Sequence, residues 1–426
     1  MLLLLAMFKK TVLPNGLRVV VHPMNGVNSV TVLVLVGAGS RYENKNINGI
    51  AHFLEHMFFK GALRYPDAKA VSSAIDGVGG DFNAFTGKEY VGYYVKVSSQ
   101  NVKLACDVLS DMLIHSKFDA REINKERGVI LEEYNMYQDT PMYQVGWDFE
   151  RLLFGDQPLG WDQVGTKELI EAVTHEDFVD YKSKLYTPDN TVISIVGNVR
   201  EQEVLEYISQ YFTFEDKKKA YDWLPFSLNP AEGKVYLRTK KTEQAHIVLG
   251  FHGYPEMHKD HYALTILSVL LGGNMSSRMF LAVREAQGLS YYIQTSTDDY
   301  ADTGIISTRA GVQVKRIDDA ISAITQEYKK VLAHIPEDEV KKAKDYLKGK
   351  LVLRLEDSEE YAHLLAKHEL LYGILKTPEE ILEAIEKVQG ADVMRTAQNL
   401  FQSSGLRLAA IGPFDDRDRF EKLLHF

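Results

Sequence analysis

One stretch decides which fold is expected of the chain: Asn48-Gly49-Ile50-Ala51-His52-Phe53-Leu54-Glu55-His56-Met57-Phe58-Phe59. Most of its residues are apolar, which predicts a buried helix, yet it carries His52, Glu55 and His56. At helical spacing these three side chains lie on one face. Burying a carboxylate and two imidazoles without partners is costly. Two explanations remain open: a core helix with hydrogen-bonded histidines, or a helix that holds a divalent metal.

A later segment, residues 125–136, bears on the metal hypothesis. Glu126 and Glu133 are seven residues apart, which is two helical turns, so they share a face. Val129 and Ile130 lie beside them and are expected to be buried. A catalytic zinc usually has three protein ligands and an open fourth position, so a third ligand is needed. Solvated helix carboxylates are also common, and they are the alternative explanation of both glutamates.

Together these motifs resemble the pitrilysin family of inverted-motif zinc metallopeptidases, which includes insulin-degrading enzyme and the mitochondrial processing peptidases. The resemblance extends from about residue 10 to the end of the chain, and its further matches are Arg127, Gly79-Gly80, Asn83-Ala84-Phe85-Thr86, Phe154-Gly155 and Pro158-Leu159-Gly160.

The resemblance implies roles for individual residues. His52, His56 and Glu133 would bind one Zn²⁺, and Glu55 would be the general base. Glu126 would orient the site from one step outside the metal shell. Glu132 competes with Glu133 as the third ligand. Glu133 is preferred because its spacing from His56 matches the family and because it shares a face with Glu126.

The second half of the chain repeats the first in outline. Residues 245–251 correspond to the strand around Val30, residues 262–271 to the His52 helix, and residues 406–412 to residues 191–197. This repeat predicts a duplication with two similar domains. In keeping with the resemblance, the expected fold class is α+β, with each domain a mostly antiparallel sheet packed with helices. By resemblance, the two domains would form half of a clamshell chamber. The predicted boundaries are 8–214 for the zinc-binding catalytic domain, 215–233 for a linker and 234–426 for a metal-free domain.

The helix of the second half lacks metal ligands. Ala263, Ile266 and Leu267 stand roughly where the first half has His52, Glu55 and His56, so this copy is expected to bind substrate instead. By resemblance, Arg284 and Tyr291 would reach the substrate carbonyl beside the zinc. Both are suitable donors for a developing oxyanion. The alternative is a glycine-rich turn with a solvated arginine.

The function expected from these residues is that of a zinc endopeptidase for short or unfolded peptides. The peptide would lie extended, as an added strand along the edge formed by Asn83, Ala84, Phe85 and Thr86. By resemblance to the shorter family members, the chain is expected to form a homodimer. The alternatives are a heterodimer with a zinc-less related subunit, a peptidase dedicated to one class of targeting sequence, and a non-catalytic structural relative.

Composition restricts the remaining possibilities. The chain has 426 residues and a net charge of -10, which argues against nucleic-acid binding. A single cysteine, Cys106, excludes an internal disulfide and fits a reducing compartment. No apolar run is long enough to span a bilayer, so a soluble cytoplasmic protein without a membrane partner is expected. Residues 1–10 look like a truncated signal peptide, and Met7 as the true start is the alternative.

Overall fold

The structure is a computed structural model that describes residues 8–228 and 233–425. The N-terminal start alternatives at residues 1–7 and part of the predicted linker, residues 229–232, lie outside this range. The described chain forms two compact units, each assembled from three segments. Unit 1 comprises the described parts of Met1–Tyr134, Asp162–Leu224 and Val352–Lys376, and unit 2 those of Asn135–Trp161, Pro225–Leu351 and Thr377–Phe426.

Unit 1 contains a six-stranded sheet. Its strands are β1 (Lys9–Val12), β2 (Arg18–Pro23), β3 (Ser29–Val36), β4 (Asp81–Thr86), β5 (Val91–Ser98) and β6 (Thr191–Gly197). The spatial order is β1-β2-β6-β3-β5-β4, and every pair is antiparallel except β2 with β6. Strands β3 and β6 are almost entirely buried, as expected for β-branched runs at the centre of a sheet. Strand β4 lies at the edge.

Unit 2 contains a five-stranded sheet. Its strands are β7 (Val235–Thr239), β8 (Gln244–Gly253), β9 (Ser290–Asp299), β10 (Gly304–Gln313) and β11 (Arg407–Gly412). The order β7-β11-β8-β10-β9 equals the order β2-β6-β3-β5-β4 of the first sheet, with the parallel pair, β7 with β11, in the corresponding place. Shared order and shared strand directions confirm the predicted duplication and the predicted α+β fold class.

The helices of the described chain lie between and after these strands in the sequence. They are α1 (Ile50–Phe58), α2 (Ala68–Asp76), α3 (Val102–Ile114), α4 (Ala120–Asp139), α5 (Pro141–Phe154), α6 (Lys167–Ala172), α7 (His175–Leu185), α8 (Glu201–Tyr211), α9 (His261–Gly272), α10 (Ile317–Ala333), α11 (Glu337–Arg354), α12 (Ser358–Tyr372), α13 (Pro378–Lys387), α14 (Gly390–Leu400) and α15 (Arg417–Glu421). A π-helical turn, Phe280–Glu285, precedes β9. No helix in the described part of the chain is both long and apolar enough to cross a membrane.

Two helices pack on a sheet from the other half of the chain. In unit 1, Tyr361, Leu365 and Ala366 of α12 pack on the apolar face of β3 and β6. In unit 2, Phe149 and Leu153 of α5 pack on β8 and β11 in the same way. The compact units therefore differ from the continuous segments 8–214 and 234–426. An apolar helix face must be covered, but its periodicity does not say which sheet covers it. The functional division into a zinc domain and a metal-free domain stays a prediction.

Candidate metal centre

Helix α1 combines an apolar face with a polar one. Its buried residues are Ile50, Ala51, Phe53, Leu54, Met57 and Phe58. These anchor the helix in unit 1, so that His52, Glu55 and His56 remain together on its partly exposed face. The helix follows Gly49, whose φ of 95° is the left-handed conformation that glycine adopts most readily. A Cβ atom at Gly49 would lie 2.4 Å from the carbonyl oxygen of Val164, so no larger residue fits there.

The buried carboxylate of Glu43 holds the N-terminus of α1. Its Oε2 accepts hydrogen bonds from the Gly49 amide (2.8 Å) and from the Asn48 side chain (2.9 Å), and its Oε1 accepts one from the Ala51 amide (2.9 Å). Burial raises the pKa of Glu43 to about 7, although these three hydrogen bonds oppose the shift. A carboxylate here satisfies amides that have no partner within the helix and fixes the direction in which α1 begins.

His52, His56 and Glu133 converge in unit 1. Their potential ligand atoms all lie within 4.8 Å of one another. Glu133 Oε1 is 3.6 Å from His52 Nε2, and Glu133 Oε2 is 3.5 Å from His56 Nε2. These distances are too long for hydrogen bonds between the same atoms. They are close to the ~3.3–3.5 Å that separates two ligands of a tetrahedral zinc with bonds of about 2.0–2.2 Å. The spacing therefore fits a shared metal ion better than direct contact.

The carboxylate of Glu126 contacts the Nδ1 side of the His56 ring. This carboxylate lies 3.0 Å from His56 Nδ1 and 2.6 Å from the ammonium group of Lys60. Burial opposes ionisation of Glu126, but the hydrogen bonds with His56 and Lys60 outweigh it and lower its pKa. Burial also opposes protonation of His56, yet the hydrogen bond with Glu126 and the charges of Glu55 and Glu133 raise its pKa. The cluster is thus rich in negative charge, which a divalent cation would offset.

The contact with His56 defines what Glu126 would do for a metal. A histidine that binds metal through one ring nitrogen usually donates its other N–H to a carboxylate, which fixes the ring orientation and the tautomer. With Nδ1 facing Glu126, His56 presents Nε2 towards Glu133.

Replacing Glu126 with glutamine is expected to weaken zinc binding by about 10- to 100-fold, the usual effect of losing such a partner. The reason is that the imidazole of His56 loses its charged acceptor. Competition with a chromogenic chelator measures the affinity. Glu122→Gln is the matched control, because Glu122 lies one turn earlier on α4 and its ion-pair partner is Lys125, at 3.7 Å. Equal zinc affinities of the two variants would contradict the role given to Glu126.

Glu55 lies beside the two histidines and contacts strand β4. Its Oε2 accepts a hydrogen bond of 2.5 Å from the hydroxyl of Thr86. Asn83, Ala84, Phe85 and Thr86, the predicted substrate edge, all belong to β4, whose only paired neighbour among the described strands is β5. The structure thus brings the free edge of the sheet next to the helix that carries the predicted base.

Three residues near the predicted ligand Glu133 on α4 differ in exposure. Glu132, the competing candidate, is exposed, and it does not belong to the cluster that Glu133 forms with the histidines. Ile130 is fully buried as predicted, but the burial predicted for Val129 is wrong, because 49% of its surface is exposed. Glu126 and Ile130 lie on the buried face of α4, whereas Val129 lies on its exposed face.

The predicted residues of unit 2, Arg284 and Tyr291, lie before and at the start of its edge strand β9. Tyr291 is the second residue of β9 and is 75% exposed. Arg284 belongs to the π-helical turn, and its guanidinium lies 4.7 Å from the centre of the Phe280 ring. On α9, the positions that correspond to the metal motif are filled by buried Ala263, Ile266 and Leu267.

Sequence patterns alone did not identify two residues of the centre. Lys60 lies just beyond the end of α1 and follows His56 by four residues, so continuing the four-residue spacing of His52 and His56 along the sequence could have found it. Glu43 precedes the helix by several residues in a polar loop, and no periodicity connects it with the metal motif.

The fold and the centre define a class of protein: a duplicated α+β protein in which, among the described residues, the first copy carries two histidines and a carboxylate at metal-binding distance and the second has apolar residues at the corresponding helix positions. Residues 18–157 match the family described as insulinase (peptidase family M16). Residues 172–347 match the domain described as peptidase M16 inactive domain.

Relatives of similar length support the same assignment. The chain is 36% identical to YmxG, an uncharacterised zinc protease of Bacillus subtilis, over 96% of this chain and 98% of YmxG. It is also 36% identical to an uncharacterised zinc protease of Streptomyces coelicolor, over 96% of this chain and 90% of that protein. The chain belongs to peptidase family M16, the pitrilysin family that its motifs predicted.

Solved structures agree in fold. A protease from Helicobacter pylori superposes with a TM-score of 0.86 at 24% identity, covering 96% of this chain and all of that one. A peptidase M16 inactive domain from Pseudomonas fluorescens gives 0.88 at 16% identity, covering 96% and 98%. A chain of complex III₂ from Candida albicans gives 0.84 at 19% identity, covering 98% and 100%.

Proposed function

We propose that this protein is a zinc-dependent endopeptidase that hydrolyses short or unfolded peptides. The observation that carries the proposal is the convergence of His52, His56 and Glu133, with Glu55 on the same helix face. The names of the curated relatives, zinc proteases, point to the same metal and the same reaction class.

The donor set suits zinc. Two imidazole nitrogens and one carboxylate leave a fourth position open, as in catalytic zinc sites. Zinc bound there would acidify its water and polarise the peptide carbonyl. Glu55 would accept the proton of the attacking water and pass it to the leaving amine. Glu126 would keep the ring of His56 in its ligand orientation.

The peptide would be held on strand β4. The edge formed by Asn83, Ala84, Phe85 and Thr86 pairs with β5 on one side and offers its other side to an added strand. Main-chain hydrogen bonds of this kind require an extended peptide and read little of its sequence. Broad specificity for unfolded chains follows.

Arg284 and Tyr291 would act on the oxyanion. A guanidinium and a phenol are hydrogen-bond donors that stabilise the negative charge of a tetrahedral transition state. The exposure of Tyr291 leaves its side chain accessible to a substrate.

Two chains would complete the enclosed chamber. Because one chain carries both the zinc motif and the pair Arg284 and Tyr291, we propose a homodimer with two sites. The alternative is a heterodimer with a zinc-less related subunit. Light scattering during size-exclusion chromatography is expected to give twice the chain mass for the purified protein. A monomer at micromolar concentration would contradict the homodimer.

Digestion of peptide mixtures tests the function. The zinc-loaded full chain is incubated with a random mixture of unfolded peptides and, separately, with a stably folded protein, and mass spectrometry identifies the cleavage sites. We expect the peptides to be cleaved and the folded protein to remain intact. Peptide cleavage should be lost when a chelator removes the zinc and should recover when zinc is added back. A protein that binds one zinc per chain yet cleaves no peptide would contradict the proposal and favour a non-catalytic role.

A further inference from the structure

Two side chains fasten the edge strand β4 to helix α1. Thr86 and Phe82 are four residues apart on β4 and therefore point to the same side of the sheet. The Thr86 hydroxyl donates a 2.5 Å hydrogen bond to Glu55 Oε2, and the Phe82 ring lies 5.7 Å, centre to centre, from the ring of Phe59, just after α1. Glu55 and Phe59 are also four residues apart, so the strand and the helix meet along matching faces.

Two other predicted substrate-binding residues of β4, Asn83 and Phe85, make contacts elsewhere. Phe85 points to the opposite face of the sheet, where its ring lies 5.5 Å from His363 of α12. The Asn83 side chain accepts a hydrogen bond from the Ala84 amide. Of the four residues predicted to bind substrate, Thr86 is the one whose side chain donates a hydrogen bond to the predicted base.

We propose that Thr86 is a positioning residue for Glu55, in addition to forming part of the peptide-binding edge. This inference rests on the proposed function, because it assigns Thr86 a task in the same reaction. A glutamate side chain has three rotatable bonds, and a partly exposed one samples several rotamers. The hydrogen bond to Oε2 restricts this freedom and leaves Oε1 free to face the reacting water.

The hydroxyl is the part of Thr86 that matters for this role. Valine has nearly the same shape and an equal preference for strands, so Thr86→Val removes the donor and leaves the strand intact. Serine restores the donor without the methyl group. If Thr86 only supported peptide binding through its main chain, neither substitution would affect turnover.

Kinetics on a fluorogenic peptide cleaved by the wild-type protein separate these roles. For zinc-loaded Thr86→Val we expect kcat to fall by about 10- to 100-fold, the effect of misplacing a catalytic group by about 1 Å, with KM within about twofold of wild type. Thr86→Ser is expected to restore most of kcat. A raised KM with unchanged kcat, or no change at all, would overturn the proposal.

Two further measurements do not depend on turnover. Zinc content and peptide affinity, the latter measured in the Glu55→Gln background, are expected to be unchanged by Thr86→Val. Crystal structures of the wild-type and Thr86→Val proteins are expected to show one Glu55 rotamer in the first and several in the second. A single, unchanged Glu55 rotamer in Thr86→Val would refute the positioning role, even if the protein cleaves no peptide. The positioning role of Thr86 and the proposed endopeptidase function can therefore be refuted independently of each other.

Discussion

Glu55→Gln is expected to lower peptide hydrolysis by about 100- to 10,000-fold, the usual contribution of a general acid–base group. The amide has the size and shape of the carboxylate and can still accept the hydrogen bond from Thr86, so the helix should fold unchanged. It cannot take a proton from the attacking water, however. Because the three proposed ligands are untouched, zinc content should remain at one per chain. Initial rates and elemental analysis of the same preparation measure both quantities.

The comparison needs a variant with the same loss of charge elsewhere. Glu132→Gln provides it, because Glu132 is exposed on α4 and lies outside the cluster. Its rate should equal that of wild type. Hydrolysis by Glu55→Gln at the wild-type rate would remove Glu55 from the mechanism. Loss of zinc together with activity would instead indicate that Glu55 helps to hold the metal.

Helical periodicity predicted which side chains of the candidate centre share a face, and the resemblance to the pitrilysin family indicated which of them would bind a metal. His52 and His56 are one turn apart, and Glu126 and Glu133 are two turns apart, so each pair must share a face once the helices form. The cluster of His52, His56 and Glu133 then needs only that the two helices meet. The repeat of strand and helix patterns likewise indicated the duplication, which the matching strand orders confirm.

Contacts between distant segments could not be predicted in this way. The hydrogen bond between Thr86 and Glu55 depends on the packing of β4 against α1, and neither segment encodes it alone. The same holds for α12, which covers the sheet of unit 1 although it lies in the second half of the chain. Val129 shows the limit within a single helix: its apolar side chain suggested burial, but the width of the buried face depends on what the helix packs against.

Glu133→Gln is expected to weaken zinc binding by more than about 100-fold, beyond the upper end of the range for residues that merely support a ligand. A neutral amide is a poor ligand for zinc compared with a carboxylate, and two imidazoles alone leave the ion with too few protein donors. Chelator competition measures the affinity, and elemental analysis of the purified protein measures how much zinc it retains.

Because Glu132 is adjacent to Glu133, the same measurement on both variants tests which of the two residues is the third ligand. Glu132 and Glu133 carry the same charge on adjacent positions of α4, about 100° apart around the helix, so only one can face His52 and His56. The distances of 3.5 and 3.6 Å to the two imidazoles assign that place to Glu133. If Glu132→Gln lost zinc and Glu133→Gln retained it, the third ligand would be Glu132. Helix α4 would then have to be rotated about its axis by about 100°. Glu126, seven residues before Glu133, would then no longer share a face with the third ligand, and its contact with His56 would need another explanation.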